Sequence, residues 1–346
     1  MRCIVITEPD AGGVSKDKVV FTEKEAPTEC GPEEIIVDVK FAGINWADTM
    51  IRRGTYPHPM QYPLVPGFEF SGTVAFVGSS AASSLAVGDR VGCMYAHAAG
   101  AYAEKIVCDA AAVVKLPDGV TFRDGAAVML QGSTAWHMLH DIGAGTKAGD
   151  TLCVTAAGGG VGLHLIQLAV AAGARVLAAT GSDDAKAAAA LAAGAEKAVR
   201  YGEIEEAAKA FSSDGLGVSK VIDSCGGSVL TSCFAGLRPM GHVISYGEAE
   251  GRPPAELWSC EWSQSPIVRK SATFTRFHVG HVAEFFPALG AVAVAGVFAA
   301  VASGALKPPI FAVKPLSAAL EAHDMLLSRK VAGKLLLAPN DADADQ

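Results

Sequence analysis

Hydrophobic and polar positions divide the chain into two patterns. The first third contains short apolar runs of the β type at residues 3–7, 34–42, 72–77, 90–95 and 102–107. Turn signals such as Pro66-Gly67 and Gly88-Asp89 separate these runs. Short strands with this punctuation predict a compact, antiparallel, barrel-like unit.

After residue 121 the pattern changes to long alanine-rich helices that alternate with short apolar strands. Helices are predicted at 161–172 and 184–193, and strands at 151–155, 175–180, 220–223 and 242–246. This alternation is typical of α/β proteins with a doubly wound parallel sheet. A last apolar run at 331–338 is placed to return to the N-terminal unit, which would make that domain discontinuous in sequence.

Composition narrows the function classes. The length of 346 residues suggests two domains, and a net charge of −8 argues against nucleic-acid binding, which needs basic surface. The uncharged windows 151–174 and 285–306 are long enough for a bilayer but are rich in Ala and Gly and lack basic flanks, so no membrane span is expected. The N-terminal apolar run is short and is interrupted at Glu8, so we expect no secretory signal and a soluble, cytoplasmic protein.

Two further expectations follow from composition. The eight cysteines form no CxxC pair, which predicts reduced and mostly buried thiols rather than a disulfide framework. The polar tail at 340–346 is expected to be disordered.

A glycine-rich loop between strand 151–155 and helix 161–172 is the strongest local signal. It reads Thr155-Ala-Ala-Gly-Gly-Gly-Val-Gly162, an AxGxxG variant of the dinucleotide motif. Small residues allow the backbone to approach a pyrophosphate, whose charge is bound by N–H groups of Gly159, Gly160, Val161 and Gly162. The alternative is a glycine-rich turn that only packs the helix on the sheet.

The end of the second strand bears on the choice of cofactor. No acidic residue stands at its tip, where NAD-preferring sites place one. Ser182, Lys186 and Tyr201 are spaced to hold a 2′-phosphate, which favours NADPH over NADH. Asp183 and Asp184 would repel a phosphate if they pointed inward, but not as solvent-facing helix caps.

Three further residues follow predicted strands at their carboxyl ends. They are Ser224, Tyr246 and Gly247. Open α/β sheets bind ligands at this edge, so these residues are also predicted to contact the cofactor.

With the loop located, further motifs resemble those of a known family. They are GINWAD at 43–48, RRGTYP at 52–57, PGFEFSG at 66–72, VGDRV at 87–91, QGSTA at 131–135, DS at 223–224 and GK at 333–334. Together they resemble the medium-chain dehydrogenase/reductase superfamily, in particular its zinc-free quinone oxidoreductase branch, which includes zeta-crystallin and vesicle amine transport protein relatives.

The resemblance implies a domain organisation. A GroES-like β-barrel substrate domain would comprise residues 1–127 and 274–346, and a Rossmann NADP-binding domain residues 128–273, with the substrate in the cleft. It also implies a homodimer through paired sheet edges, for which the run 271–277 is a candidate.

The resemblance also assigns site residues. Asn45 and Tyr56 would be catalytic, with an amide N–H and a phenol suited to oxyanion stabilisation or proton delivery. Gln131, Thr134 and Lys334 would contact the cofactor. Gln131 and Thr134 are expected at the start of the helix that leads into the cofactor domain. Alternatives are that Asn45 only fixes its own loop, that Tyr56 is only a packing residue, that Thr134 caps its helix or lies in its interior, and that Lys334 is exposed.

Zinc is not expected. Zinc-dependent relatives carry Cys and His ligands where this chain has Asn45 and Phe68, and the cysteine-rich lobe of a structural zinc is missing. Two histidine pairs at i, i+3 spacing, 137/140 and 278/281, are interpreted as ordinary histidines.

The predicted activity is therefore NADPH-dependent reduction of a quinone or an α,β-unsaturated carbonyl. Quinone reductases of the branch often carry a Tyr where this chain has Met50, and a pocket of Met50, Phe70 and Phe277 would suit an apolar enone. Alternatives are an enone, enal or 15-ketoprostaglandin-type reductase with little quinone activity, and a non-catalytic NADPH-binding protein.

Overall fold

The structure is a computed structural model that describes residues 1–10, 16–81, 84–94, 100–143, 145–259, 261 and 263–340. Tyr95 at the end of one predicted strand, Cys260 and all but the first residue of the predicted disordered tail lie outside the described residues.

The chain forms two compact units. Unit 1 comprises Met1–Ser133, Gly280–Gly304 and Pro308–Gln346, and unit 2 comprises Thr134–Val279 and Ala305–Lys307. The expected domain boundaries, at 127/128 and 273/274, lie slightly before these limits.

The strands of the described chain, in order, are β1 (Arg2–Ile6), β2 (Val19–Glu23), β3 (Glu34–Ile44), β4 (Glu69–Val77), β5 (Arg90–Met94), β6 (Lys105–Asp109), β7 (Val113–Lys115), β8 (Thr151–Val154), β9 (Arg175–Thr180), β10 (Lys197–Arg200), β11 (Val218–Asp223), β12 (Leu237–Ser245), β13 (Thr273–Arg276), β14 (Ile310–Pro315) and β15 (Lys334–Ala338). The α-helices are α1 (Trp46–Arg53), α2 (Phe122–His140), α3 (Gly160–Ala171), α4 (Asp184–Ala192), α5 (Ile204–Phe211), α6 (Gly227–Gly236), α7 (Pro266–Lys270), α8 (Val279–Phe285), α9 (Pro287–Ala302) and α10 (Ala319–Leu327).

Unit 1 is built on a mainly antiparallel sheet. Its strand order is β14-β15-β3-β4-β5-β7, and β6 pairs with β3. The long central strand β3 is buried along most of its length, and β15 pairs with it antiparallel, with Leu336 opposite Gly43. The prediction that the last apolar run returns to the N-terminal unit is therefore confirmed.

Unit 2 is a six-stranded sheet with the order β10-β9-β8-β11-β12-β13, and every neighbouring pair is parallel. This is the Rossmann strand order, in which the direction of winding reverses between β8 and β11. The predicted doubly wound parallel sheet is confirmed. The carboxyl ends of β8 and β11 are the edge at which such sheets bind ligands.

The two uncharged windows, 151–174 and 285–306, form different elements. The first is strand β8 followed by α3, and the second contains α9. Across the described residues, none of the helices has both the length and the apolar character that a membrane crossing requires. The seven described cysteines are free thiols, and six of them are buried, as expected.

Candidate functional site

Asn45 stands at the junction of β3 and α1, where the chain leaves the sheet and begins a helix. Its backbone is extended, and its N–H donates to Asp48 Oδ2 at 2.8 Å, which caps the first turn of α1. The residue is 3% exposed. The GINWAD motif is therefore a strand end, a cap and a first helical turn, which together fix the position of the Asn45 side chain.

The Asn45 amide is held by three side chains of unit 1. Its Nδ2 donates to Glu69 Oε1 at 2.7 Å, and its Oδ1 accepts from Lys334 Nζ at 2.8 Å and from Gln131 Nε2 at 3.1 Å. The alternative that Asn45 only fixes its own loop is wrong, because the amide bonds outside that loop. One of the two Nδ2 protons is accounted for by Glu69.

Glu69 begins β4 and is fully buried. Its Oε2 accepts from the backbone N–H of Leu130 at 2.7 Å, and its Oε1 accepts from Asn45 and Lys334. Gly43 makes this placement possible, because a Cβ there would lie 2.4 Å from Glu69 Oε1. Sequence reasoning missed Glu69, although an acidic residue between two phenylalanines at the start of an apolar strand is a detectable signal.

Lys334 is fully buried, so the alternative of an exposed lysine is wrong. Its ammonium donates to Ile44 O at 2.9 Å and to Asn45 Oδ1, and it forms an ion pair with Glu69. Burial lowers the pKa of Lys334, and the charge of Glu69 opposes that change. These three protein acceptors surround the ammonium.

Asp48 belongs to a second buried chain of polar groups. Besides the N–H of Asn45, its carboxyl accepts from the N–H of Gly67 at 3.2 Å and is hydrogen-bonded to Tyr102, whose hydroxyl lies 3.2 Å from His323 Nε2. Burial raises the pKa of Asp48 to about 7 and lowers the pKa of His323 to about 4. Each shift favours the neutral form of its group.

Tyr56 lies near Asp48 and is half-buried. Its ring centroid is 5.4 Å from that of Phe68 and 5.6 Å from that of His58. Burial, followed by the charge of Asp48, raises the pKa of Tyr56, so the phenol keeps its proton. The ring also lines a cavity of about 140 Å³ with Tyr62, smaller than the ~300 Å³ of typical ligand pockets.

Gln131 is the central residue of α2 and Thr134 lies in its second half, which corrects the expected placement of both at the start of the helix. Gln131 contacts Asn45, and its Oε1 is buried without a hydrogen-bond partner in the described structure. Thr134 is 5% exposed inside the helix.

The residues predicted to line an apolar pocket, Met50, Phe70 and Phe277, are distributed over both units. Met50 is half-buried on α1, but Phe70 is 1% exposed within the core of unit 1 and is not a pocket wall. Phe277 belongs to unit 2, with its ring centroid 6.1 Å from that of His137. Phe70 was misassigned because a sequence run does not reveal which face of a strand is turned into the core.

In unit 2 the glycine-rich loop connects β8 to α3. Gly159 caps α3, whose first N–H groups have no carbonyl of their own helix to bind. A Cβ at Gly162 would lie 2.6 Å from Ala156 O, so this glycine lets the helix approach the loop closely. Helix α3 begins at Gly160, one residue before the predicted start at 161.

The residues predicted to hold a 2′-phosphate lie in the turn after β9 (Ser182), on α4 (Lys186) and directly after β10 (Tyr201). Lys186 lies on α4 directly beside the loop, because a Cβ at Gly158 would be 2.5 Å from Lys186 Cβ. Ser182 is exposed in the turn. The Tyr201 hydroxyl is hydrogen-bonded to Cys225 and to the backbone of Ala156, and burial raises its pKa.

The two aspartates of this turn are both engaged. Asp183 accepts from the N–H of Ala185 at 2.9 Å as the cap of α4, and Asp184 forms an ion pair with Arg200. Arg200 also donates to Gly181 O at 2.5 Å. Sequence reasoning missed Arg200 because it ends the neighbouring strand β10, and only the sheet order brings it to this turn.

The carboxyl ends of β8, β11 and β12 form one polar cluster. Thr155 Oγ1 donates to Asp223 Oδ1 at 2.7 Å and accepts from the N–H of Ser224 at 3.1 Å. Tyr246 is hydrogen-bonded to Ser224, and Gly247 lies against Ser224, since a Cβ there would be 2.8 Å from its carbonyl oxygen. The predicted residues Ser224, Tyr246 and Gly247 are therefore adjacent.

The metal question turns on the ligands available. In the described part of the chain, no three His, Cys, Asp or Glu side chains are grouped so as to hold a metal ion. His137 Nδ1 instead lies 2.6 Å from Asp141 Oδ2, and the His140 ring contacts Trp136.

Comparison with known proteins gives matches for both units. The family model of the alcohol dehydrogenase GroES-like domain matches residues 31–118, and that of the zinc-binding dehydrogenases matches residues 160–316. A probable quinone oxidoreductase of Schizosaccharomyces pombe is 34% identical over 326 residues, covering 93% of each chain.

Two solved structures are similar over nearly the whole chain. A mycobacterial protein complexed with NADPH is 32% identical, with a TM-score of 0.86, over 98% of this chain and 100% of that one. The Escherichia coli quinone oxidoreductase complexed with NADPH is 30% identical, with the same TM-score and the same coverage. With its Rossmann and GroES-like units, the chain belongs to the medium-chain dehydrogenase/reductase superfamily, in its quinone oxidoreductase branch.

Proposed function

We propose that this protein is an NADPH-dependent, zinc-independent reductase of quinones or α,β-unsaturated carbonyl compounds. Unit 2 is the NADPH-binding domain, and unit 1 supplies the groups that act on the acceptor. The observation that carries the proposal is the Asn45 amide, which buried partners hold in place and which bonds Glu69 through one of its two Nδ2 protons.

The residues of unit 2 fit NADPH. Gly158 and Gly162 have no Cβ, which lets the loop pack closely against Lys186 and Ala156. The first turn of α3 offers N–H groups to a pyrophosphate. Lys186 stands beside this loop, and Arg200 offsets the charge of Asp184, which would otherwise repel a 2′-phosphate. The NADPH in the two similar solved structures supports the same cofactor.

Bound NADPH supplies a hydride to an electron-poor carbon. Reduction then leaves negative charge on the acceptor oxygen, and the remaining Nδ2 proton of Asn45 is the donor we assign to it. The raised pKa of Tyr56 keeps its phenol protonated, so Tyr56 serves as a proton donor, directly or through water. Gln131 Oε1, a buried acceptor, is suited to bind a carboxamide such as that of nicotinamide.

Zinc independence rests on the donor set. Phe68 has no ligand atom, and the amide oxygen of Asn45 accepts from the Lys334 ammonium, which repels a second cation. We therefore expect activity that survives dialysis against a chelator. Stoichiometric zinc retained after dialysis would contradict this part of the proposal.

The decisive experiment follows NADPH absorbance with quinones, enones and enals in parallel. We expect turnover with at least one class, a loss of about 10²-fold in kcat for Asn45→Ala, and a smaller loss for Tyr56→Phe. Tyr62→Phe is the matched control, because its hydroxyl donates to Ile51 O and not to the acceptor. NADPH binding without oxidation across the panel would favour a non-catalytic binding protein.

Met50 favours an enone or enal over a quinone, because this position on α1 lacks the phenol that resembling quinone reductases often carry. A kcat/KM at least tenfold higher for enones would identify that class.

We also propose a homodimer through β13, the edge strand of the parallel sheet. Light scattering should give twice the chain mass, and a monomer mass would refute it.

A further inference from the structure

The orientation of the Asn45 amide is determined by two opposite buried charges. Its oxygen faces the Lys334 ammonium at 2.8 Å, and its nitrogen faces the Glu69 carboxylate at 2.7 Å. If the amide were flipped, its oxygen would face a carboxylate and its NH₂ would face an ammonium. Both contacts would then be repulsive in a region from which water is excluded.

Both charges are fully satisfied within the protein. The ammonium has three acceptors for its three protons, Ile44 O, Asn45 Oδ1 and Glu69 Oε1. The Glu69 carboxylate accepts on both oxygens, with Leu130 N on Oε2. Stability alone does not require such a pair, since apolar residues of similar volume commonly serve a core as well. A polar role for the pair is therefore indicated.

We propose that Glu69 and Lys334 are positioning residues that hold the Asn45 amide in one orientation, with its second N–H directed to the acceptor oxygen. This inference deepens the proposed function and rests on it for the identity of the acceptor. It also gives Lys334 a different role from the predicted one, which is to orient the Asn45 amide and not to contact the cofactor. The ammonium acts through the amide and does not touch the reacting atoms.

The first test neutralises the pair with the double variant Glu69→Gln/Lys334→Met. Volume is nearly kept and no charge is left unpaired, so the protein should fold with a similar thermal midpoint. We expect kcat to fall about tenfold while the Kd of NADPH, measured by fluorescence without acceptor, changes less than about twofold. A wild-type kcat in this folded variant would overturn the proposal.

The second test reverses the central hydrogen bond with Asn45→Asp/Glu69→Gln. One negative charge remains beside Lys334, and the introduced carboxamide donates where Asn45 donated before. Volume and net charge are kept, and the ammonium loses its acceptor at position 69 but gains a carboxylate at position 45, whereas residue 45 has no N–H to offer. We expect kcat to fall to the level of Asn45→Ala, and retention of activity would refute the assignment of the donor.

A third measurement does not depend on turnover. In the ¹⁵N spectrum of the full chain, the two Nδ2 protons of Asn45, identified by their loss in Asn45→Asp, should differ strongly. The proton on Glu69 should exchange more slowly than the other, because only the first is bonded to a buried carboxylate. Equal, fast exchange of both would contradict the fixed orientation. Fixed orientation in a protein that reduces no acceptor would instead refute only the proposed function.

Discussion

Two buried titratable groups in unit 1 predict opposite pH dependences of stability that offset each other. The Asp48 carboxyl and the His323 imidazole are connected through the Tyr102 hydroxyl, and both are almost completely buried. Burial raises the pKa of Asp48 from 3.8 to about 7 and lowers the pKa of His323 from 6.5 to about 4.

The change of stability with pH has opposite signs for the two groups. The contribution of Asp48 is fully present below pH 3.8 and is lost as the pH rises through about 7. The contribution of His323 is present above pH 6.5 and is lost as the pH falls through about 4. At about 1.4 kcal/mol per unit, these shifts correspond to roughly 4 kcal/mol for Asp48 and roughly 3 kcal/mol for His323.

Between pH 4 and 6.5 the folded and unfolded states therefore bind the same number of protons at these two sites. The folded chain holds the proton on Asp48, and the unfolded chain holds it on His323. We expect the free energy of unfolding of the wild-type protein to change little from this pair across that range.

Single substitutions separate the two effects. Asp48→Asn should make stability fall by up to roughly 3 kcal/mol as the pH is lowered from 6.5 to 4, because only His323 remains. His323→Gln should make stability rise by up to roughly 4 kcal/mol between pH 7 and 4. Tyr102→Phe is the control, since it removes the bridging hydroxyl and leaves both titrating groups.

Urea unfolding at a series of pH values measures these slopes, and hydrogen exchange of the β3 amides assigns them to unit 1. Parallel pH profiles for the two variants would refute the reasoning, because they would show that the groups do not titrate with opposite shifts.

Three further predictions concern unit 2 and the thiols. Arg200→Gln should raise the Kd of NADPH about tenfold, roughly 1.4 kcal/mol, without changing the Kd of NADH. Arg238→Gln is the control and should change neither Kd, because Arg238 has the same 40% side-chain exposure and is also paired with an aspartate. Equal effects of Arg200→Gln on both cofactors would disprove a phosphate role. Gly158→Ala should lower the free energy of unfolding by roughly 1–3 kcal/mol and weaken NADPH binding, because the added Cβ would meet the Lys186 backbone. Gly202→Ala is the control and should be nearly neutral in urea titrations, because the space around Gly202 is open. Alkylation of the native protein, followed by peptide mass spectrometry, should label Cys30 first among the seven described thiols, because the others are buried; early labelling of a buried thiol would indicate local opening.

Local sequence was sufficient to predict those elements whose pattern is carried by residues that are neighbours in the chain. The alternation of helices and strands identified the parallel sheet, and β9 was predicted with its observed limits. The glycine-rich loop was recognised because strand, loop and helix are contiguous in the chain. Strands β2 and β7 were missed, since short and half-exposed strands have little hydrophobic pattern to detect.

The catalytic candidates show what one-dimensional information omits. Asn45 was identified by its motif, but its partners Glu69 and Lys334 come from β4 and from the start of β15, far apart in the chain. Sequence also does not reveal that the Lys334 ammonium is enclosed by three protein acceptors. Arg200 was missed for the same reason, since only the pairing of β10 with β9 brings it to Gly181.

By itself, the sequence determined the fold class, the nucleotide loop and the identity of the residue types available for chemistry, because these depend on periodicity and short spacing. Tertiary structure alone decided which charges are buried together and which way the Asn45 amide faces. Those features depend on strand register and on the exclusion of water, which convert ordinary Glu, Lys, Asp and His side chains into a fixed polar network.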